Sequence, residues 1–134
     1  MNITIKTIPH DEQRYETPGD WWFDPDGTLQ IRVSDIGNWK YEALVAVHEM
    51  HEVLLCKSRG ITVAQVDAFD IQFEKDRADG NHSPEEEPGS DPSCPCHQEH
   101  IFATALEELF AQQLGVPWKE YDKTVVSLQK TNQK

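Results

Sequence analysis

The sequence predicts an α+β domain, in which a small N-terminal antiparallel β-sheet packs on a core of three or four helices. Three observations predict it. Short alternating runs separated by turn residues fill residues 1–37. A run that is apolar almost all round follows at 41–56, the mark of a buried central helix. Further helical patterns occupy 62–77 and 97–130. The 134 residues suffice for one domain with a real core. Within it lie a β-rich part (1–37), central helices (38–77), an acidic loop (78–96) and C-terminal helices (97–130).

Ile3, Ile5 and Ile8 have the spacing of one strand face, and Pro9 ends the run. Residues 10–20 are polar and turn-rich. Trp21, Trp22 and Phe23 form a short aromatic strand, and Asp24-Pro25-Asp26-Gly27 is a strong turn signal. Leu29, Ile31 and Val33 alternate after it, so the two runs read as a β-hairpin. Trp21 and Trp22, beside a turn, suit core and lid packing.

Ser34, Asp35 and Asn38 are candidate caps for the central helix, and Gly60 suits its C-terminal end. Thr62 caps a second helix running to about Arg77, with Val63, Val66, Phe69 and Phe73 inward. Asp67, Asp70 and Glu74 lie about one turn apart on it. A solvated acidic face explains them more simply than a metal site. The Gly-, Pro- and acid-rich stretch 78–96 predicts a long, mobile loop and a candidate lid. The third helix spans 97–114, stopped by Gly115 and Pro117. A last helix spans 118–130, and the tail 131–134 is expected to fray.

The net charge of -12 leaves no basic stripe to neutralise phosphates, which argues against nucleic acid as a partner. No apolar run approaches the ~20 residues of a membrane span. No signal-peptide pattern opens the sequence, and three cysteines make no disulfide framework, so a cytoplasmic setting is expected. The partner expected is an unidentified protein or peptide.

The chemistry centres on the long helix. His48 and Glu52 lie about 40° apart on one face, among Tyr41, Leu44, Val45 and Leu55. Buried polar groups need partners, so this pair is either a metal site or a His–Glu hydrogen bond. On the third helix His100, Thr104, Glu107 and Ala111 form one stripe. If the stripes face each other, His48, Glu52 and His100 make a three-ligand site with an open position, the form of catalytic zinc. Glu49 would stand beside the metal as a general base on bound water. Glu107 would hold a ligand imidazole or add a ligand, and His97 could join it.

His48-Glu49-Met50-His51-Glu52 resembles the HExxH helix of zincin-type metallopeptidases. The resemblance implies a zincin-like fold, His48 as ligand, Glu49 as the catalytic acid-base, and a third ligand from a later helix. The departure is at the second ligand, where this chain has Glu52; His51 is one residue out of register, about 100° away. A carboxylate ligand suits zinc or another divalent transition metal, one per chain. The wider layout after residue 40 looks like small uncharacterised proteins of tailed bacteriophages. That likeness implies a phage origin, and the cytoplasm of an infected bacterium as the setting.

Other readings follow from other residues. Cys94, Cys96, His97 and His100 within seven residues offer a structural zinc site, or reduced thiols in a loop. Glu49 and Glu52 with Glu107 and Glu108 resemble the paired acidic helices of magnesium-dependent nucleotide pyrophosphohydrolases. The second helix lacks their spacing, and the histidines favour a softer metal. The small size and acidic charge also suit a phage accessory protein that docks on a host protein, with a structural metal or none.

Overall fold

The computed structural model describes residues 1–129. In chain order it contains β1 (Ile3–Ile8), β2 (Gly19–Phe23), β3 (Leu29–Ser34), α1 (Trp39–Ser58), α2 (Val63–Ala78), α3 (His97–Leu114) and α4 (Trp118–Gln129). Single 3₁₀ turns lie at His10–Glu12 and Pro88–Ser90. The α+β class is therefore borne out. The expected tail 131–134, and residue 130, lie outside the described residues.

The hairpin forms where the turn chemistry predicts it. Gly27 sits at φ 88°, a left-handed conformation that favours glycine, and its N–H donates to Asp24 O at 2.9 Å. β2 and β3 pair antiparallel, with Trp21 opposite Ile31. The sheet as a whole corrects the antiparallel expectation. Its order is β1-β3-β2, and β1 runs parallel to β3. The reason lies in the connection 9–18, long enough to arch over the end of β3. Ser34 anchors that arch: its hydroxyl donates to Thr17 O at 3.1 Å and lies 2.7 Å from His10 Nδ1. The chain thus crosses β3's position before β3 is made, and β3 slots between the other two strands.

Leu29, Ile31 and Val33 are fully buried on the face that α1 covers. Each stabilises the fold by roughly 1.5–3 kcal/mol. Ile3 and Ile5 on β1 stay exposed, and the packing of β1 runs chiefly to β3. α1 starts at Asn38, whose side chain accepts from the Lys40 and Tyr41 amides at 3.1 and 3.3 Å. α2 begins with a capping box between Thr62 and Gln65. α3 packs on α1 more extensively than any other element does, and its fully buried Ala103 and Ala111 let the two helices approach closely.

The stretch 78–96 is a loop, as its composition predicts, with one 3₁₀ turn, and it is strapped to α2 by side-chain contacts. Arg77 supplies those contacts. Its guanidinium donates to Ser83 O at 2.7 Å and to Glu86 O at 2.6 Å, and it pairs with Glu74. Phe73 and His82 stack at 3.8 Å beside it. The backbone groups of a Pro- and Gly-rich segment thereby find partners without regular structure. No helix among the described residues is long and apolar enough to cross a membrane.

Candidate metal centre

α1 and α3 bring His48, Glu52 and His100 together, as the facing stripes predict. Nε2 of His48 lies 2.9 Å from Oε2 of Glu52 and 3.2 Å from Nδ1 of His100. Nδ1 of His100 lies 3.1 Å from the same Glu52 oxygen. The three side chains are largely buried, and this group could hold a metal ion. Among the described residues it is the cluster of three His, Cys, Asp or Glu donors close enough to do so.

Each imidazole is held from behind by a second carboxylate. His48 Nδ1 lies 2.7 Å from Glu107 Oε1, whose other oxygen accepts from the Tyr121 hydroxyl. His100 Nε2 lies 2.8 Å from Glu87 Oε2. An N–H donated backwards leaves the forward nitrogen with a lone pair, the arrangement that fixes tautomer and orientation in metal-binding histidines. Without a cation, two lone pairs and a carboxylate oxygen would converge on one point. Protons supply the cation in the metal-free chain. Burial opposes charge on His100, but the Glu52 and Glu87 carboxylates win and raise it to about 10. Burial likewise opposes charge on His48, and Glu107 and Glu52 raise it well above its ordinary value. Glu52, despite burial, is pulled down to about 2 by His100 and His48.

Glu49 follows His48 on the same helix and lines the same cleft, a space of about 130 Å³. Burial first, and then the Glu52 charge, push it up to about 8. It has no hydrogen-bond partner among the described side chains. Two glycines make room for the site. A Cβ on Gly19 would lie 2.7 Å from Cγ of Glu49, and one on Gly89 would lie 2.3 Å from Cγ of His100.

Several predicted members fall elsewhere. Glu107 supports His48 instead of converging with the three donors. His97 donates from Nδ1 to Gly89 O at 2.9 Å and stays outside the cluster. His51 turns back to the Val47 carbonyl at 2.8 Å, as its register predicts. The Cys94 and Cys96 thiols lie buried, 2.8 Å apart, and join no three-donor group. Glu108 is exposed and Glu107 is already engaged, so the four-carboxylate magnesium arrangement is not assembled. Asp67, Asp70 and Glu74 line the cleft, which corrects their reading as a plain solvated face. Glu87 and the two glycines were not singled out in the sequence. Glu87 is one of three consecutive glutamates, and nothing in spacing marks which one turns inward.

No family model, no curated protein and no solved structure matches the chain.

Proposed function

We propose that the protein is a zinc-dependent hydrolase of zincin type acting on a peptide, with one zinc per chain held by His48, Glu52 and His100. The observation that carries this reading is the convergence of three donors, each imidazole backed by a carboxylate, beside an unpaired Glu49 in the same cleft. When bound, zinc supplies Lewis acidity that brings a coordinated water to a pKa of about 7. With the metal held, Glu49 would be the residue placed to serve as base toward that water and as acid toward the leaving amine. Glu107 and Glu87 keep the imidazoles oriented.

The test is elemental analysis of purified, tag-free protein, with peptide hydrolysis measured in parallel. About one zinc per chain, retained in Cys94→Ser and lost in His48→Ala and His100→Ala, supports the site. Hydrolysis lost in Glu49→Gln while zinc remains supports the base. Absence of zinc under every loading condition would sink the reading.

A second reading, an accessory protein docking on a host protein, is favoured by Ile101, Phe102 and Leu109, exposed on the outer side of α3. It requires that Glu49→Gln leave function intact.

A further inference from the structure

The cleft continues into a groove of about 480 Å³ between the 9–18 arch and α2. The two spaces share Tyr15, Asp67, Asp70 and Glu74. No lysine or arginine lines the cleft among the described residues. The cations that reach the groove are Arg14 and Lys75. Arg14 is committed to Asp20, at 2.6 and 2.8 Å, and reaches Asp67 at 3.3 Å. Glu74 is held by Arg77 at 3.0 Å. That leaves Asp70. Its one hydrogen-bond partner is the Tyr15 hydroxyl at 3.4 Å, and it has no ion-pair partner among the described residues. Beside it in the groove lies Ile71, 54% exposed, an apolar surface next to an unpaired carboxylate.

A separate observation points to a ligand rich in donors. Gln129 on α4 lines the cleft, is only 8% exposed, and its Oε1 has no hydrogen-bond partner among the described residues. A buried acceptor without a donor is costly, and a bound N–H group would relieve it.

We propose that the cleft takes a peptide segment bearing a lysine or arginine, whose charged end pairs with Asp70, whose aliphatic stem lies along Ile71, and whose N–H groups satisfy Gln129 Oε1. Long basic side chains carry both the apolar stem and the cationic tip that this groove offers. A free carboxylate or phosphate ligand would meet the Asp70 carboxylate in a cleft lined by no lysine or arginine among the described residues, and is disfavoured. The assignment rests on the hydrolase reading for the choice of a peptide, but the charge preference is a binding property.

The test uses the zinc-loaded full chain and acetyl-Ala-Ala-Xaa-Ala-Ala-amide peptides with lysine, arginine, norleucine or glutamate at Xaa. Binding is measured by titration calorimetry and cleavage by mass spectrometry. The expected result is about tenfold tighter binding of the lysine and arginine peptides than of the norleucine peptide. Asp70→Asn should bring that ratio to within about twofold while keeping its zinc, and Asp70→Lys should shift preference to glutamate. Equal binding of lysine and norleucine peptides, binding of none of them, or an unchanged ratio in Asp70→Asn overturns the proposal. A lysine preference without cleavage would fail the hydrolase reading and keep the groove; cleavage without charge preference would do the reverse.

Discussion

Nδ1 of His48 and Oε1 of Glu107 lie 2.7 Å apart, so a carboxylate on α3 decides which nitrogen of a histidine on α1 faces the other ligands. Glu107 in turn is held by the Tyr121 hydroxyl from α4. Three helices therefore share responsibility for one imidazole. Glu107→Gln keeps the shape and can still accept one hydrogen bond, but it loses the charge that favours the ligand's lone pair. Its zinc affinity should fall about 10–100-fold, with zinc stoichiometry at saturation unchanged. Competition against a chelator of known affinity checks this. An unchanged affinity would mean that Glu107 serves packing alone.

Two buried imidazoles held protonated by three surrounding carboxylates, Glu52, Glu87 and Glu107, carry the same charge as one divalent cation. Both histidines sit above their ordinary pKa in the metal-free chain, His100 at about 10. They are charged at pH 7 and must lose their protons to coordinate. Zinc binding at pH 7 should therefore release about two protons per ion. Calorimetry in buffers of different ionisation enthalpy reads that number directly. The sign follows: affinity rises with pH as long as both histidines remain protonated in the free protein, a range that the raised His100 carries through neutrality toward about pH 10. Release near zero would mean that the imidazoles are neutral before the metal arrives.

The close approach of Gly89 to the His100 ring predicts a steric effect. Gly89 is not among the positive-φ glycines, so alanine would be conformationally acceptable there. Its Cβ would nonetheless fall 2.3 Å from the His100 ring, and the ring or the strap must move. Gly89→Ala should weaken zinc binding at least about tenfold and destabilise the zinc-free chain by roughly 1–3 kcal/mol. Gly27→Ala is the control. It strains a turn at φ 88° with open space around it, so stability should drop with zinc affinity unchanged. Chemical denaturation and chelator competition on the two variants separate the effects.

The helices and the hairpin were legible because their signals are local. Thr62 with Gln65, the Asp24–Gly27 turn, and Gly115 at φ 68° each fix a boundary within a few residues. The donors His48, Glu52 and His100 were legible because helical spacing places each on a definite stripe. The parallel pairing of β1 was not, since it depends on how a ten-residue connection arches over β3, and no periodicity encodes that path. Glu87 and Gly89 were hidden for the same reason. They lie in a segment without a repeat, whose course is set by Arg77 reaching across to the Ser83 and Glu86 carbonyls. The acidic face of α2 misled because amphipathic patterning distinguishes apolar from polar sides, and a polar cleft wall looks like solvent.

Asp70 makes stability depend on pH in a direction opposite to that of an ordinary paired carboxylate. Burial, and next the Glu52 charge, raise it from 3.8 to about 7 in the folded chain. The folded state then binds more protons than the unfolded state between about pH 4 and 7. The stability that neutral Asp70 contributes is fully present below about pH 4 and is lost as pH rises through about 7. Asp70→Asn removes the ionisation and keeps an acceptor for the Tyr15 hydroxyl. The metal-free variant should match the wild type near pH 4 and exceed it by about 1–2 kcal/mol at pH 8, after allowance for partial solvation of the site. Urea unfolding of both chains across that range measures the difference. A variant less stable than the wild type at pH 8 would show that the Asp70 charge has a partner in the free protein, and would remove the reason for assigning a ligand's cation to it.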